Sequence, residues 1–343
     1  MALSGEGYLA AGSAAAGDVA AGHAGRLPTG LFDKAAALLA IVAIGVVVLP
    51  PMLSEPADDQ AGGPAGGAAK ASAVEPAPVD ASTLAPGKET FIGAYSGMPY
   101  TYNSDFKFKT KANGRDLILR NVGWDSKPFK SPIYYGVRVA RWSGKSAFGG
   151  MLDFTHGKVY SQRQQEVRLD GDRGSIIPGK ILPPKAKIKD IFHHFEFTHG
   201  HNMLTLNGLY RLPQPHARLK PYIGIGFGVA LPHSEVQFKG SKVRTYEYQY
   251  VGPVFQALIG LEFRVPRISY FFEYKFTLAR YEVPLSNRDG SLLPLDLYAQ
   301  FKRWWSGKTP EGGYAWTTLV SHQLIGGMGV RIAAPVAAPL GVN

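Results

Sequence analysis

The sequence predicts an all-β protein: an eight-stranded antiparallel transmembrane β-barrel over residues 89–333, preceded by an apolar N-terminal helix and a disordered linker. Three observations carry that expectation. Apolar and polar residues alternate with a period of two, the connections alternate long and short, and ionisable residues collect on one parity of the strands. The composition of the 343 residues, with formal net charge +11, 41 Gly, 18 Phe and 17 Tyr, suits a folded chain of one or two domains. There is no cysteine, which excludes disulfide scaffolds, thiolate metal sites and thiol nucleophiles together. Chemistry must come from His, carboxylate, hydroxyl or amide groups.

Residues 1–30 are Ala- and Gly-rich without periodicity and are expected to be disordered. Residues 31–53, LFDKAAALLAIVAIGVVVLPPML, run apolar and uncharged from Ala35 to Leu53, about the length that crosses a bilayer core as a helix. Two readings stand: an export signal with a long leading region, or an uncleaved anchor. The following LPPMLSEPADD offers no A-x-A cleavage pattern. Residues 54–88, rich in Pro, Ala, Gly and acid, read as a flexible linker, and 334–343 as a tail.

From Glu89 the period becomes two. In RISYFFEYKFTLAR, the residues Ile268, Tyr270, Phe272, Tyr274, Phe276 and Leu278 share one side, opposite Ser269, Phe271, Glu273, Lys275 and Thr277. VFQALIGLEFR alternates in the same way, and in YIGIGFGVAL the row Ile223, Ile225, Phe227, Val229 is backed by glycines that leave room in a narrow lumen. Eight strands are expected near 89–97, 132–142, 145–156, 193–212, 218–231, 250–264, 267–281 and 316–333. Each alone would also suit half of a soluble sandwich. The connections decide: 98–131, 157–192, 232–249 and 282–315 are long, whereas 143–144, 213–217 and 265–266 are short. Short periplasmic turns and long external loops are the asymmetry of an outer-membrane barrel. The inward parity gathers Arg138, Asp153, Arg211, Glu262, Arg264, Glu273, Lys275 and Arg331, which pair with one another and leave no wide pore.

With the first strand entering from the periplasm, His156, His193 to His201, His233 and His322 all fall at the outer rim, with Glu196, Glu235 and Glu247. Strand parity turns Leu204, Leu206 and Tyr210 to lipid and groups His193, His199 and His201 on the lumen face. Histidines two apart on a strand face lie about 7 Å apart at Cα, near enough for two imidazoles to share one ion or substrate atom. The competing reading makes these residues part of an aromatic girdle at the bilayer boundary. The loop 157–190 carries eight Lys or Arg against four acids. That excess suits an anionic partner, lipopolysaccharide at a cell surface sooner than nucleic acid.

The segments MLDFTHGKVY, FTHGHNMLTLNGLYRLP, PYIGIGFGVALPHSEV and TYEYQYVGPVFQALIGLEFR, with the barrel pattern around them, resemble the lipid A oxidases of rhizobia and related α-proteobacteria over residues 89–333. The long N-terminal extension and the non-aromatic carboxyl end depart from the usual pattern of bacterial barrels. The resemblance implies an oxidoreductase that converts the proximal glucosamine of lipid A to 2-aminogluconate, with O2 as acceptor and release of H2O2. It also implies an outer-membrane protein with lipopolysaccharide as substrate, and a monomer is expected.

Oxygen reacts poorly with a closed-shell sugar without a mediating metal or organic cofactor, and no dinucleotide fingerprint is present. A divalent metal at His199, His201 and Glu196 (or Glu247) is therefore expected, although Glu196 has the opposite simple parity, which a twist at Gly200 would have to correct. His233 or Glu235 would take the proton, Tyr246, Tyr248 and Tyr250 line the sugar, and Lys185, Lys187 and Lys189 hold the anionic headgroup. Two rival classes remain. One is a lipid A hydrolase or acyltransferase using Ser234 beside His233 and Glu235; the other is a structural or adhesin barrel.

Overall fold

The computed structural model describes residues 88–109, 116–144, 146–174, 176–177, 179–242 and 244–333, and the side chains of Thr198 and His199 are outside that description. The expected extension, signal or anchor, linker up to residue 87 and tail from 334 also lie outside the described residues.

Among the described residues fifteen strands follow in order: β1 Glu89–Thr101, β2 Ser104–Lys109, β3 Asp116–Val122, β4 Trp124–Asp125, β5 Tyr135–Trp142, β6 Phe148–Ser161, β7 Glu166–Gly171, β8 Lys185–Lys187, β9 Phe192–Arg211, β10 Leu219–Ala230, β11 His233–Phe238, β12 Thr245–Tyr248, β13 Gly252–Arg264, β14 Ile268–Pro284 and β15 Tyr314–Ala333. Eight of them, β1, β5, β6, β9, β10, β13, β14 and β15, pair successively and antiparallel, and β15 pairs back to β1. The ring is closed, so its backbone groups find partners without water and no edge is left open. The eight spans expected from alternation coincide with this ring. The other seven strands lie in the long connections, where alternation predicts only loops.

Alternation sorts the ring's residues sharply. Phe272, Leu206, Phe227, Ile225, Ile259 and Val330 stand more than half exposed on the outside. Every member of the inward set expected above is buried. In mid-barrel, Arg138 grips Glu273 with two N–H groups at 2.9 and 3.0 Å and reaches Asp153 at 3.2 Å. Lys275 donates to Asp153 at 2.7 Å, and the Tyr222 hydroxyl to Glu273 at 2.8 Å. A second layer lies toward the short turns, where Glu89 accepts from Arg264 and Arg211, and Glu262 from Arg264 and Ser269. Charges inside and hydrocarbon side chains outside invert the arrangement of a water-soluble barrel, and such an exterior is satisfied by lipid.

The glycine row of β10 is used as expected. A Cβ at Gly226 would collide with the Asn207 side chain and the Leu206 carbonyl. Asn207 fills that space and accepts from Gln256 at 2.9 Å.

Beyond the apolar belt the faces reverse. On β14 the inward row passes from Glu273 and Lys275 to Ala279, Tyr281 and Val283, while Arg280 and Glu282 are exposed. On β9 it passes from Asn207 and Thr205 to Phe197 and Phe195. These residues join Phe106, Phe108, Leu117, Leu119, Trp124, Val236 and others in one apolar core. The strand extensions and β2, β3, β7, β8, β11 and β12 thus form a cap with an interior of its own above the lipid-facing belt.

Candidate functional site

The outer wall of the barrel carries a cluster of His, Lys, Tyr and Glu side chains just beyond the belt. Along β6 the row Leu152, Phe154, His156, Lys158, Tyr160 alternates with Asp153, Thr155 and Val159, which are buried inside; His156 and Lys158 are buried too, beneath side chains and chain segments on the outer wall. His156 stacks on Tyr135, its partner across β5, at 4.9 Å between ring centroids and 22° between planes. Its Nδ1 lies 2.8 Å from Asn202 Oδ1, and Asn202 donates to the Leu231 carbonyl at 3.2 Å. Lys158 donates to the Lys130 carbonyl at 3.0 Å. Lys127 and Lys130 hold their ammonium groups 4.5 and 5.5 Å from the centre of the Tyr160 ring.

Tyr160 is the ladder partner of Glu196, and across β11 Glu196 faces Glu235 directly. Two carboxylates opposed on one face repel. His194 Nδ1 lies 3.3 Å from Glu235 Oε1 and 4.0 Å from Glu196 Oε1. The three residues offer ligand atoms within 4.8 Å of one another, the one such group among the described residues. One imidazole and two carboxylates make a donor set for a divalent cation with open positions. The opposed negative charges supply the reason a cation would be held there. Arg244 already lies 3.3 Å from Glu235 and 3.0 Å from Asp289, so part of that charge is met by protein.

Of the expected metal set, Glu196 and His201 fall on opposite faces of β9, and the side chain of His199 lies outside the described residues. A bulge opens between Gly157 and Val159 of β6, opposite Thr198 to Gly200 of β9, and Gly200 takes φ +142°. The bulge leaves Glu196 on the outer face and His201 on the inner one, where His201 Nδ1 meets the Tyr281 hydroxyl. Alternation also breaks near the start of β9, since Phe192 and Phe195 are both buried, and His193 is exposed instead of facing the lumen.

Other expected roles move too. His233 is buried with its Nε2 at 3.0 Å from the Gly290 carbonyl, and the edges of Tyr246 and Tyr248 pack on its ring at 4.3 and 4.6 Å. It anchors the 285–313 connection and is shielded from a substrate. Glu247 is buried between Arg288 at 3.2 Å and Arg303 at 2.9 Å, which makes it the tie between β12 and the helix Leu293–Trp305. Ser234 is fully buried opposite Glu247, so the rival serine nucleophile has no access.

Tyr246 and Tyr248 remain beside the site. Burial, followed by the neighbouring Tyr135, raises the Tyr248 phenol above its ordinary value. Tyr250 instead exchanges backbone hydrogen bonds of 2.8 Å with the Gln300 side chain under the helix. Lys185 and Lys187 are exposed on β8, the last strand of the cap's sheet order, and Lys189 sits in a single helical turn at Ile188–Ile191. The turn that carries Lys189 leads straight into β9. Lys127 and Lys130, which no sequence signal singled out, stand with Lys158 beside Tyr160 and the end of β6. His322 belongs to a girdle with Tyr274, Phe276 and Tyr102.

No protein-family model matches the chain, and no curated protein matches it. Among solved structures it is similar to Neisserial surface protein A, with 10% identity and TM-score 0.31, over 71% of this chain and 97% of that one. It is also similar to Ail, the attachment invasion locus protein of Yersinia pestis, solved with the heparin analogue sucrose octasulfate, with 10% identity and TM-score 0.27, over 72% of this chain and 99% of that one. Both are small outer-membrane β-barrel proteins. At that level of likeness no residue is carried across, and the barrel rests on the closed ring and the inverted faces.

Proposed function

We propose that the protein is an outer-membrane enzyme that oxidises the proximal glucosamine of lipid A to 2-aminogluconate, with O2 as acceptor and H2O2 as by-product. The observation that carries the reading is the outward-parity row of β6, which passes from half-buried Leu152 and Phe154 to half-buried Tyr160, with His156 and Lys158 buried between them under Tyr135 and the 127–130 segment. A glycolipid with its acyl chains beside the belt would bring its headgroup to that row. The filled lumen offers no comparable route.

His194, Glu196 and Glu235 are the residues that would hold a divalent cation. When bound, such a cation would supply the redox or Lewis-acid chemistry that a closed-shell sugar and O2 lack. Lys127, Lys130 and Lys158 would hold the anionic headgroup, and Tyr160 and Tyr248 would flank the ring. In the net reaction, the anomeric carbon loses its hydrogen and the hydroxyl proton with two electrons, and O2 takes both electrons and both protons to become H2O2. Water then opens the lactone, so the sugar gains one oxygen atom.

Mass analysis of lipid A from cells with and without the protein tests this. A gain of one oxygen, lost in His194→Ala and Glu235→Gln, is expected. Lipid A that is unchanged or short of an acyl chain would overturn the activity, and full oxidation by both variants would overturn the site.

A further inference from the structure

The helix Leu293–Trp305 sits on the outside of the barrel. Leu297 and Leu293 pack with Leu231, Val229 and Tyr250, and Val229 is the next outward residue of β10 after the exposed Phe227. The helix therefore lies at the upper boundary of the apolar belt. Its rotation about its own axis is fixed by two groups seven residues apart, which lie on one side of a helix. Asp296 accepts from the Tyr248 backbone N–H at 3.2 Å, and Arg303 donates to Glu247 at 2.9 Å. Both partners are on β12, which pairs with β11, and β11 leads away from the belt beyond Leu231. The charged side thus faces the cap.

The side turned away from the cap carries Leu295, Tyr298, Lys302 and Trp305, spaced i, i+3, i+7 and i+10. Leu295 is 61% exposed, Tyr298 62% and Trp305 68%. In water these three large side chains would be an unexplained apolar stripe. Pointed back toward the belt, they continue it. A Trp and a Tyr at that level match the residue types that settle at a bilayer boundary, and a Lys among them extends its ammonium to anionic headgroups.

We propose that the 293–305 helix is an interfacial anchor whose Leu295–Tyr298–Trp305 stripe lies in the outer lipid surface and whose other side holds the cap in place over it. The proposal rests on the reading of the barrel as membrane-spanning, and the test separates the two. The chain has no cysteine, so single cysteines can carry a nitroxide without other changes. Tyr298→Cys and Leu295→Cys label the stripe, Phe272→Cys the middle of the belt and Lys185→Cys the cap. Each is reconstituted in phosphatidylcholine vesicles containing phosphatidylglycerol, and spin-label collision with O2 is compared with collision with a water-soluble nickel chelate.

The expected result is an oxygen-to-nickel ratio at 295 and 298 shifted from the value at 185 toward that at 272. Ratios at 295 and 298 equal to that at 185, with 272 remaining oxygen-rich, would overturn the anchor and leave the barrel reading standing. A nickel-rich 272 would overturn the membrane reading and the anchor with it. Folding of each variant is checked by the heat-dependent mobility shift of the closed barrel, and Trp305→Cys serves as a second stripe position should Tyr298→Cys fail to fold.

Discussion

Replacing Lys275 by Met should be among the most damaging single changes in the barrel, and its size follows from the hydrogen bonds and the ion pair that the ammonium makes. Lys275 Nζ donates to Asp153 Oδ2 at 2.7 Å, to the Tyr95 hydroxyl at 2.9 Å and to Thr155 Oγ1 at 3.0 Å, and both charged partners are fully buried. Asp153 would keep Arg138 at 3.2 Å, but Arg138 is already engaged by both oxygens of Glu273. The group Arg138, Asp153, Glu273 and Lys275 would change from neutral to a net single negative charge. Breaking a buried pair by removing one partner costs about 3–5 kcal/mol, which lowers the folding equilibrium constant by roughly two to three and a half orders of magnitude. Urea unfolding in phospholipid vesicles, followed by tryptophan fluorescence, measures it. Asp153→Asn combined with Lys275→Met restores neutrality and should recover more than half of the loss. A single variant within about 0.5 kcal/mol of the parent, the size of an ordinary surface change, or a double variant no better than the single one, would refute the idea of a lumen filled by mutually neutralising charges.

Four further outcomes are expected. Gly226→Val would displace Asn207 from its bonds to Gln256 and Thr205, at an overpacking cost of about 1–3 kcal/mol, read by the same unfolding assay. His194→Ala should weaken divalent-cation binding by at least the roughly 10–100-fold that losing even a supporting partner costs, as measured by calorimetry, while His322→Ala leaves it unchanged. Arg120 holds Asp170 below the usual carboxylate range through its hydrogen bond; at Asp105, slight burial opposes the shift, but the Asn121 N–H and Arg120 outweigh it. The unfolded chain then takes up protons first as the pH falls, so this contribution is fully present above about pH 3.9 and is lost as the pH drops through the lowered values. Hydrogen exchange of β2 and β3, corrected for intrinsic rates, should show that loss, and 0.5 M salt or Arg120→Met should flatten it. Asp296 behaves in the opposite sense. Burial is the largest influence and raises its pKa, so its ionisation opposes folding as the pH rises above the unfolded value, and Asp296→Asn should remove that slope from helix protection.

The barrel was legible because two-residue alternation is local: Tyr270, Phe272 and Tyr274 declare one face whatever their neighbours do, and the short turns fix which strands adjoin. The inward charges followed from the same parity, although Glu89, the acceptor for Arg211 and Arg264, sits at the very start of β1, where too little alternation precedes it to assign a face. The cap was not legible, because β2, β3 and β7 are short and their pairing is non-local. The metal-type cluster illustrates the limit. His194 and Glu196 are two apart and share a parity, which the sequence already states. That Glu235 stands opposite Glu196 depends on the β9–β11 register, and the bulge at Thr198 to Gly200 shifts that register by an amount no alternation pattern encodes.

The reversal of faces along single strands ties the fold to the placement of the chemistry. On β14, Phe272 and Tyr274 need hydrocarbon outside them while Tyr281 and Val283 need it inside, so the strand must leave lipid between Leu278 and Tyr281. Within the belt the inner row neutralises itself and the outer row is apolar, so neither offers a solvated reactive group. Within the cap the interior is mostly apolar, so polar side chains gather on the outer wall, where Tyr160 and His194 are partly exposed and His156 and Lys158 lie beneath their neighbours. Tyr135, His156, Lys158 and Tyr160 lie on that wall beside the point of exit, and Glu196, Glu235 and His194 follow one strand over. Under the proposed function, a site here would draw its substrate sideways from the membrane surface and not through the filled lumen. Blocking the lumen further should therefore leave catalysis intact, whereas a bulky charge at Phe154, on the approach along β6, should abolish it while the barrel still closes.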